Sequence, residues 1–223
     1  MKRIIFVLLI LVVVACSSEK KRVLPYIGYH EVVKVADQTH AVGDTIFDAI
    51  DEEFSFLTQD STLFTNQNLK GKVSIAKFFF THCPTICPPM TGQMDKLANN
   101  TKDISEKIQF LSFSIDPERD TVNRLKVYMD RHEITADNWF FLTGEREAYV
   151  HKLGTQSFFV NALNDANAEG GYAHSPHFVL IDREKHVRGL YDVLEKDGKG
   201  AENLRRLEED IRKLLKVEYG EKI

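Results

Sequence analysis

Two cysteines, Cys83 and Cys87, lie four residues apart where an apolar stretch gives way to prolines. If a helix begins by Pro84, both thiols face the same side of it, and the helix N-terminus favours their ionised form. A pair of soft thiolates has two chemical uses, as a reversible disulfide or as a clamp on a thiophilic metal such as Cu(I). The alternative is that both are unpaired cysteines with a purely structural role in the core, but the neighbouring prolines and histidine favour a functional site.

The element that positions these cysteines is the run over residues 73–80. It is short, apolar and aromatic, which is typical of a buried central strand. The prolines that follow prevent further strand pairing, and Pro88 or Pro89 suits the first turn of a helix. The sequence therefore predicts that a strand ends and a helix begins at the cysteine pair.

The N-terminus indicates export. Lys2 and Arg3 precede an apolar run over residues 4–15, which is shorter than the roughly 20 residues of a membrane span and fits a secretory signal. Ala15 directly before Cys16 resembles the lipobox of bacterial lipoproteins, in which the signal is removed and the cysteine is lipidated. An uncleaved anchor is the alternative, and both place the rest of the chain in the cell envelope.

This interpretation divides the chain into residues 1–15 as a signal peptide, 16–40 as a lipidated N-terminus and tether, and 41–223 as one folded domain. With Cys16 lipidated, only Cys83 and Cys87 of the three cysteines remain free. An exported compartment is oxidising, so the pair should be a disulfide, a metal site, or both in turn. The formal net charge of -4 without a basic stripe argues against a nucleic-acid partner.

Strands alternate with helices along the rest of the sequence, and a hairpin comes near the end, which favours a mixed α/β sheet covered on both faces. Alternation and apolar runs predict strands over residues 54–58, 63–65, 108–115, 137–142, 178–182 and 187–192. Helical spacing predicts helices over residues 122–132, 144–153 and 201–215, the second ended by Gly154. Residues 161–171 are rich in Asn, Asp, Ala and Gly, which predicts a long mobile loop leading to His174.

Three stretches resemble the motifs of the Sco/SenC proteins. The first is the strand running into Thr81-His82-Cys83-Pro84-Thr85-Ile86-Cys87-Pro88, the second is Ser114-Ile115-Asp116-Pro117-Glu118-Arg119-Asp120-Thr121, and the third is His174 with the strand that ends in Asp182. The resemblance covers about residues 54–215. It implies a thioredoxin-like fold with an inserted hairpin and delivery of copper to cytochrome c oxidase during its assembly. It also implies that the copper ligands are Cys83, Cys87 and His174.

The donor set agrees with this resemblance, because two thiolates suit Cu(I) and an added imidazole also allows Cu(II). A ligand on a mobile loop would let metal be caught and released. His177 is a rival ligand, but in an extended segment it points away from the face of His174. His82 and Asp116 are expected beside the site without ligating. Asp116 with Asp120 forms either an acid pair or a turn followed by a helix cap.

We therefore predict a membrane-tethered copper metallochaperone, a carrier rather than an enzyme. Its expected partners are the copper-accepting oxidase subunit, other copper chaperones or thiol reductants, and the membrane. The alternative is a thiol-disulfide oxidoreductase that reduces the acceptor's cysteines. Three intervening residues, where redox pairs usually have two, argue mildly against it, and such an exchanger has no use for His174. A thiol peroxidase would need a low-pKa cysteine near Thr and Arg, which the sequence does not place.

Overall fold

The structure is a computed structural model that describes residues 23–36, 39–194 and 198–223. Its strands are β1 His30–Val32, β2 Thr45–Phe47, β3 Ser55–Thr58, β4 Leu63–Thr65, β5 Val73–Phe79, β6 Ile108–Ser114, β7 Trp139–Thr143, β8 Ala162–Asn164, β9 Tyr172–His174, β10 His177–Ile181 and β11 Val187–Asp192. Its α-helices are α1 Cys87–Asn100, α2 Val122–Arg131, α3 Glu147–Gln156 and α4 Gly200–Lys213, the last continued by a π-helical turn, Leu214–Glu218. Within the described ranges, the helices are too short or too polar to cross a membrane.

Seven strands form the central sheet in the order β11-β10-β5-β6-β7-β3-β4. The pairs β5–β6 and β6–β7 are parallel, and the outer pairs are antiparallel. All seven residues of β5 and of β6 are buried. Because helices cover both faces of a parallel sheet, such strands are apolar throughout instead of alternating, which is why the run at residues 73–80 was recognisable in the sequence.

Helices lie on both faces of this sheet. On one face, the hydroxyls of Thr91 in α1 and Tyr128 in α2 are 2.8 Å apart, and the Tyr128 ring packs on Phe79 of β5. The neighbouring Phe78 points to the opposite face, where it contacts Gly154 of α3. The predicted mixed α/β fold, thioredoxin-like with helices on both faces, is therefore confirmed.

The predicted bounds of α3 are wrong at both ends. The helix begins at Glu147 and continues through Gly154 to Gln156, so Gly154 does not end it. A Cβ at this glycine would lie 3.2 Å from the Phe78 ring, closer than most such contacts. Gly154 therefore allows the helix to approach the sheet, a use of glycine that sequence alone does not distinguish from a helix stop.

The loop predicted over residues 161–171 is corrected at its start, where residues 162–164 form a strand that pairs with residues 172–174. Ala162–Asn164 and Tyr172–His174 form an antiparallel hairpin, and Gly170 and Gly171 in the connection between them have φ of 84° and 89°. Glycine adopts this left-handed region without the penalty of a Cβ. The glycines that suggested irregular chain thus lie in the connection of the inserted hairpin, β8–β9.

The described chain contacts the domain from its first residues. The backbone N–H groups of Val23 and Leu24 donate to Glu218 Oε1 at 2.8 and 3.3 Å, and Ile27 forms a bridge with Val187 of β11. Part of the stretch assigned to the tether therefore packs against the fold. The signal peptide over residues 1–15 and the lipidation of Cys16 lie outside the described residues and stay predictions.

Candidate metal centre

The cysteine pair lies at the junction of β5 and α1, as predicted. The chain turns after β5, with Cys83 N donating to Phe80 O at 3.2 Å, and α1 begins at Cys87. Pro88 occupies the first turn, where the missing N–H costs no helical hydrogen bond. The helix thus starts at the second cysteine, whose side chain is fully buried, while Cys83 is 7% exposed.

The two sulfurs are neighbours with different protonation. Neither cysteine is in a disulfide in this structure, and the backbone N–H of Cys87 donates to Cys83 Sγ at 3.4 Å. The hydrogen bond from the Cys87 thiol, with others from His174, the Cys87 backbone and the Thr85 backbone, holds the pKa of Cys83 far below its usual range. Burial, together with the neighbouring Cys83 sulfur, raises the pKa of Cys87. Cys83 is therefore the thiolate and Cys87 the thiol of the reduced pair.

His174, the last residue of β9, completes the group. Its Nε2 lies 3.0 Å from Cys87 Sγ, and its Nδ1 lies 3.1 Å from the carbonyl oxygen of Ser175. A carbonyl oxygen only accepts, so Nδ1 carries a proton, and Nε2 is the ring nitrogen that faces the sulfurs. One ligand atom from each of Cys83, Cys87 and His174 lies within 4.8 Å of the other two, close enough for one metal ion.

The inserted hairpin that carries His174 is fixed to the rest of the domain by polar contacts. Tyr172 OH donates to Glu147 Oε2 of α3 at 2.9 Å and to Asp116 Oδ1 at 3.4 Å. Asp116 also pairs with Arg119, whose guanidinium donates to Gly170 O at 3.1 Å. Asp116 therefore lies near the site, where it supports the strand bearing His174.

Asp120 attaches the cysteine segment to β6. It accepts hydrogen bonds from Thr81 Oγ1 at 2.5 Å, from Thr81 N at 3.0 Å and from Ser114 Oγ at 2.7 Å. Burial nevertheless raises the pKa of Asp120. The cap of α2 is Thr121, whose hydroxyl accepts from Arg124 N at 3.3 Å. The cap of α2 is thus provided by Thr121 and not by the adjacent Asp120.

The other histidines lie apart from the sulfurs. His82 is exposed, with Nδ1 3.3 Å from Thr81 Oγ1 and Nε2 3.3 Å from the Arg124 guanidinium. His177 is the first residue of β10, where it lies opposite Asp192 of β11 in the strand register. His174 is the histidine that lies close to Cys87. Met90 and Met94 are fully buried core residues.

Sequence reasoning missed Lys77, which lies in β5 beneath the cysteine-bearing turn. Its side chain is fully buried, and its Nζ donates to Thr91 Oγ1 at 2.6 Å. Thr91 in turn donates to the carbonyl oxygen of Cys87, 2.8 Å away. One signal was available, since a lysine inside a strand that is otherwise apolar and predicted to be buried on both faces is rare.

Comparison with known proteins places this fold and site in a defined class. The family model described as SCO1/SenC matches residues 43–209, and the chain belongs to this family. It is 34% identical over 144 residues to a Bacillus subtilis (strain 168) protein called "SCO1 protein homolog", which covers 65% of this chain and 74% of that one.

Solved structures agree in fold. A SCO1/SenC family lipoprotein from Bacillus anthracis str. Ames has a TM-score of 0.65 and 33% identity over 73% of this chain and 93% of its own. BsSco, described as a member of the Sco family of cytochrome c oxidase assembly proteins and as having a disulfide switch, has a TM-score of 0.61 and 32% identity, covering 72% and 90%. ScoI of Arabidopsis thaliana with copper bound has a TM-score of 0.59 and 27% identity, covering 74% and 99%.

Proposed function

We propose that this protein is a copper metallochaperone that carries copper to an acceptor during cytochrome c oxidase assembly. The observation that carries the proposal is the convergence of two cysteines and one histidine from separate elements within 4.8 Å. Family membership supports copper as the cargo, because a relative's structure holds it. The same family membership supports the copper-accepting subunit of the oxidase as the partner.

The three side chains divide the work of holding the ion. Cys83 is ready as a thiolate at neutral pH, and Cys87 gives up its proton when metal binds, because only the thiolate is a strong ligand. Two thiolates are sufficient for Cu(I), and the Nε2 lone pair of His174 supplies the harder donor that Cu(II) requires. Copper entry therefore releases protons, and copper affinity should rise with pH.

A direct test is copper titration of the purified reduced protein. We expect one copper per chain, with tight binding lost in Cys83→Ser and in Cys87→Ser. His174→Ala should weaken Cu(II) much more than Cu(I), while the matched variant His177→Ala leaves both unchanged. Full copper retention by both serine variants would refute the metal site, and loss of Cu(II) in His177→Ala alone would move the third ligand to His177.

A second function, thiol-disulfide exchange with the acceptor, is favoured by the split between the two thiols. Cys83 is the more exposed and more acidic of the pair, which suits an attacking nucleophile. Its thiolate would attack the acceptor disulfide to form a mixed disulfide and release one acceptor thiolate. Cys87, deprotonated, would then displace the second, leaving a Cys83–Cys87 disulfide and a reduced acceptor. Reduction of an acceptor disulfide by His174→Ala at the wild-type rate would assign that activity to the cysteines alone.

We also propose that a lipid on Cys16 holds the domain at a membrane of the cell envelope. The apolar run ending in Ala15 supports this, and one relative is described as a lipoprotein. Metabolic lipid labelling followed by membrane fractionation tests it, with Cys16→Ala as the control. Label that persists in Cys16→Ala, or a wild-type protein found wholly in the soluble fraction, would contradict the lipid anchor.

A further inference from the structure

Lys77 is a buried cation close to the sulfur pair that the proposed copper chemistry does not use. Its Nζ is 2.6 Å from Thr91 Oγ1, and Thr91 lies one helical turn after Cys87, on the same face of α1. The ammonium group also lies over the rings of Phe79 and Trp139, at 5.4 and 5.5 Å from their centroids. Lys77 is therefore held in a fixed position beneath the first turn of α1.

The surroundings of Lys77 contain anionic sulfur in place of a carboxylate. Among the residues that the structure describes, several lysines and arginines form ion pairs with carboxylates, but Lys77 does not. Burial lowers the pKa of Lys77 to about 7, against which the negative charge of the Cys87–Cys83 pair raises it. The negative charge that compensates this buried ammonium is thus that of the sulfur pair, and it changes with the state of the site.

We propose that Lys77 is a positioning residue that favours the reduced, Cu(I)-holding state of the Cys83–Cys87 pair over both its disulfide and its Cu(II) complex. This inference rests on the proposed function for its copper part and on the cysteine pair alone for its redox part. Lys77 acts through its charge and touches neither the metal nor the reacting sulfurs.

The charges of the possible states give the direction of the effect. The reduced pair, with one thiolate and one thiol, carries one negative charge, whereas the disulfide carries none. Cu(I) held by two thiolates also carries one net negative charge, and Cu(II) held by two thiolates and a neutral imidazole carries none. A nearby cation in a poorly solvated interior stabilises the anionic member of each pair, so both equilibria shift toward the reduced state.

The redox part is tested without copper, by equilibrating the purified protein with mixtures of reduced and oxidised glutathione. Replacing the cation in Lys77→Met should make the disulfide more stable. The equilibrium constant for its reduction should be about tenfold smaller, which corresponds to a reduction potential about 30 mV more negative. Lys77→Arg should restore the wild-type value. Lys77→Gln, which keeps a polar end, should behave as Lys77→Met does and serves as the second neutral variant should Lys77→Met fail to fold.

Tyr128→Phe is the matched control, because it removes the hydroxyl that Thr91 contacts and leaves the charge in place. It should leave the equilibrium constant unchanged. An unchanged constant in the neutral variants, or an equal shift in Tyr128→Phe, would overturn the proposal and show that Lys77 serves packing alone.

The copper part is tested by measuring Cu(I) and Cu(II) affinities of the same variants. The ratio of Cu(I) to Cu(II) affinity should fall about tenfold in Lys77→Met, equivalent to about 59 mV for this one-electron couple. If wild-type protein binds no copper, the proposed function fails, yet the glutathione equilibrium still decides whether Lys77 acts on the cysteines. An unchanged affinity ratio beside a shifted glutathione equilibrium would confine the effect of Lys77 to the redox pair.

Discussion

Two fully buried cations, Lys77 and Arg188, lie toward opposite ends of the central sheet, and their surroundings differ. At the end where β5 stops, Lys77 has a hydroxyl and two ring faces as neighbours. At the end where β5 starts, Arg188 of β11 pairs with Asp182 at 2.8 Å and with Glu218 at 2.6 Å. Arg188 also donates to the carbonyl oxygens of Leu24 and Pro25, at 2.6 and 3.0 Å.

The difference shows which buried charge belongs to the architecture and which to the chemistry. Burial opposes the charge of Arg188, but the hydrogen bonds that it donates to two carboxylates keep its pKa above the usual value, so its charge is constant. Burial lowers the pKa of Lys77 to about 7, and its counter-charge depends on the sulfurs. A cation with permanent partners joins distant parts of a chain, whereas a cation whose partner changes can report on, or bias, that change.

The largest expected effect comes from removing the well-paired cation. Arg188→Met leaves two carboxylates buried without their partner, so the free energy of unfolding should fall by about 3–5 kcal/mol. Urea unfolding measures it. Arg205→Met is the matched control, since the Arg205–Glu209 pair is exposed, and its cost should stay within about 0.5 kcal/mol. Equal losses in both variants would show that the Arg188 cluster adds no more than a surface pair.

The contribution of the same cluster to the pH dependence of the free energy of unfolding should have opposite signs in the wild-type protein and in Arg188→Met. Burial alone would raise the pKa values of Asp182 and Glu218, but hydrogen bonds from His186 and Arg188 in the first case, and from Arg188 in the second, lower them. Carboxylates with lowered pKa values stabilise the fold above their unfolded values of about 4, and this stability is lost as the pH falls through the folded values.

In Arg188→Met both carboxylates lose the Arg188 hydrogen bonds that oppose burial, so their folded pKa values should rise, most of all that of Glu218, because Asp182 keeps its hydrogen bonds from His186. Where a folded value then exceeds the unfolded one, the contribution of that carboxylate improves as the pH falls from about 7 toward 4. The measurement is the free energy of unfolding in urea across this range, compared with wild type. Parallel pH profiles for the two proteins would contradict the assignment of the shifts to Arg188.

A smaller effect is expected at the site end, where polar contacts hold the inserted hairpin. Tyr172→Phe removes the hydrogen bonds to Glu147 and Asp116, at a cost of about 1 kcal/mol. Cu(II) affinity should fall a few-fold, because His174 is less well held, with Cu(I) nearly unchanged. Tyr149→Phe, which loses a similar bond to Glu53 O away from the hairpin, should leave both affinities alone. Equal Cu(II) loss in the two variants would reject this coupling.

The smallest expected change in stability is that of Lys77→Met. Replacing a desolvated ammonium by an apolar side chain of similar length is often neutral or stabilising, so the free energy of unfolding should change by less than about 1 kcal/mol or increase. Urea unfolding of the reduced protein, beside Arg188→Met, provides the comparison. A loss as large as that of Arg188→Met would remove the distinction between the two cations.

The parts of the molecule that sequence predicted are those whose signals are local. The apolar run of β5, the prolines after Cys83 and the helical spacing of α1 each lie within a few residues of the feature they produce. The motif containing His174 was recognised by its resemblance to the Sco/SenC proteins. The local signals were sufficient for the main strands and the cysteine junction, and the resemblance supplied the set of three residues that converge.

What sequence did not predict depends on contacts made after folding. The glycines of residues 161–171 are equally compatible with an irregular loop and with the turn of a hairpin, and the pairing of Ala162 with His174 decides. Gly154 resembled a helix stop until Phe78 was placed against it. The bonds of Arg188 to Leu24 span 164 residues, and no local pattern identifies partners so far apart.

The position at which the N-terminal segment joins the fold would determine which end of an attached domain faces away from the surface that holds it. Val23 and Leu24 are held at the Arg188 end of the sheet, while the sulfurs lie beyond the other end of β5. If the N-terminus were attached to a membrane surface, the end of the domain that contains Arg188 would face that surface. The end that contains Cys83 and Cys87 would face away from it. An acceptor could then dock from above without displacing the attachment, and a longer or shorter linker would change the height of docking while leaving the coordination chemistry untouched.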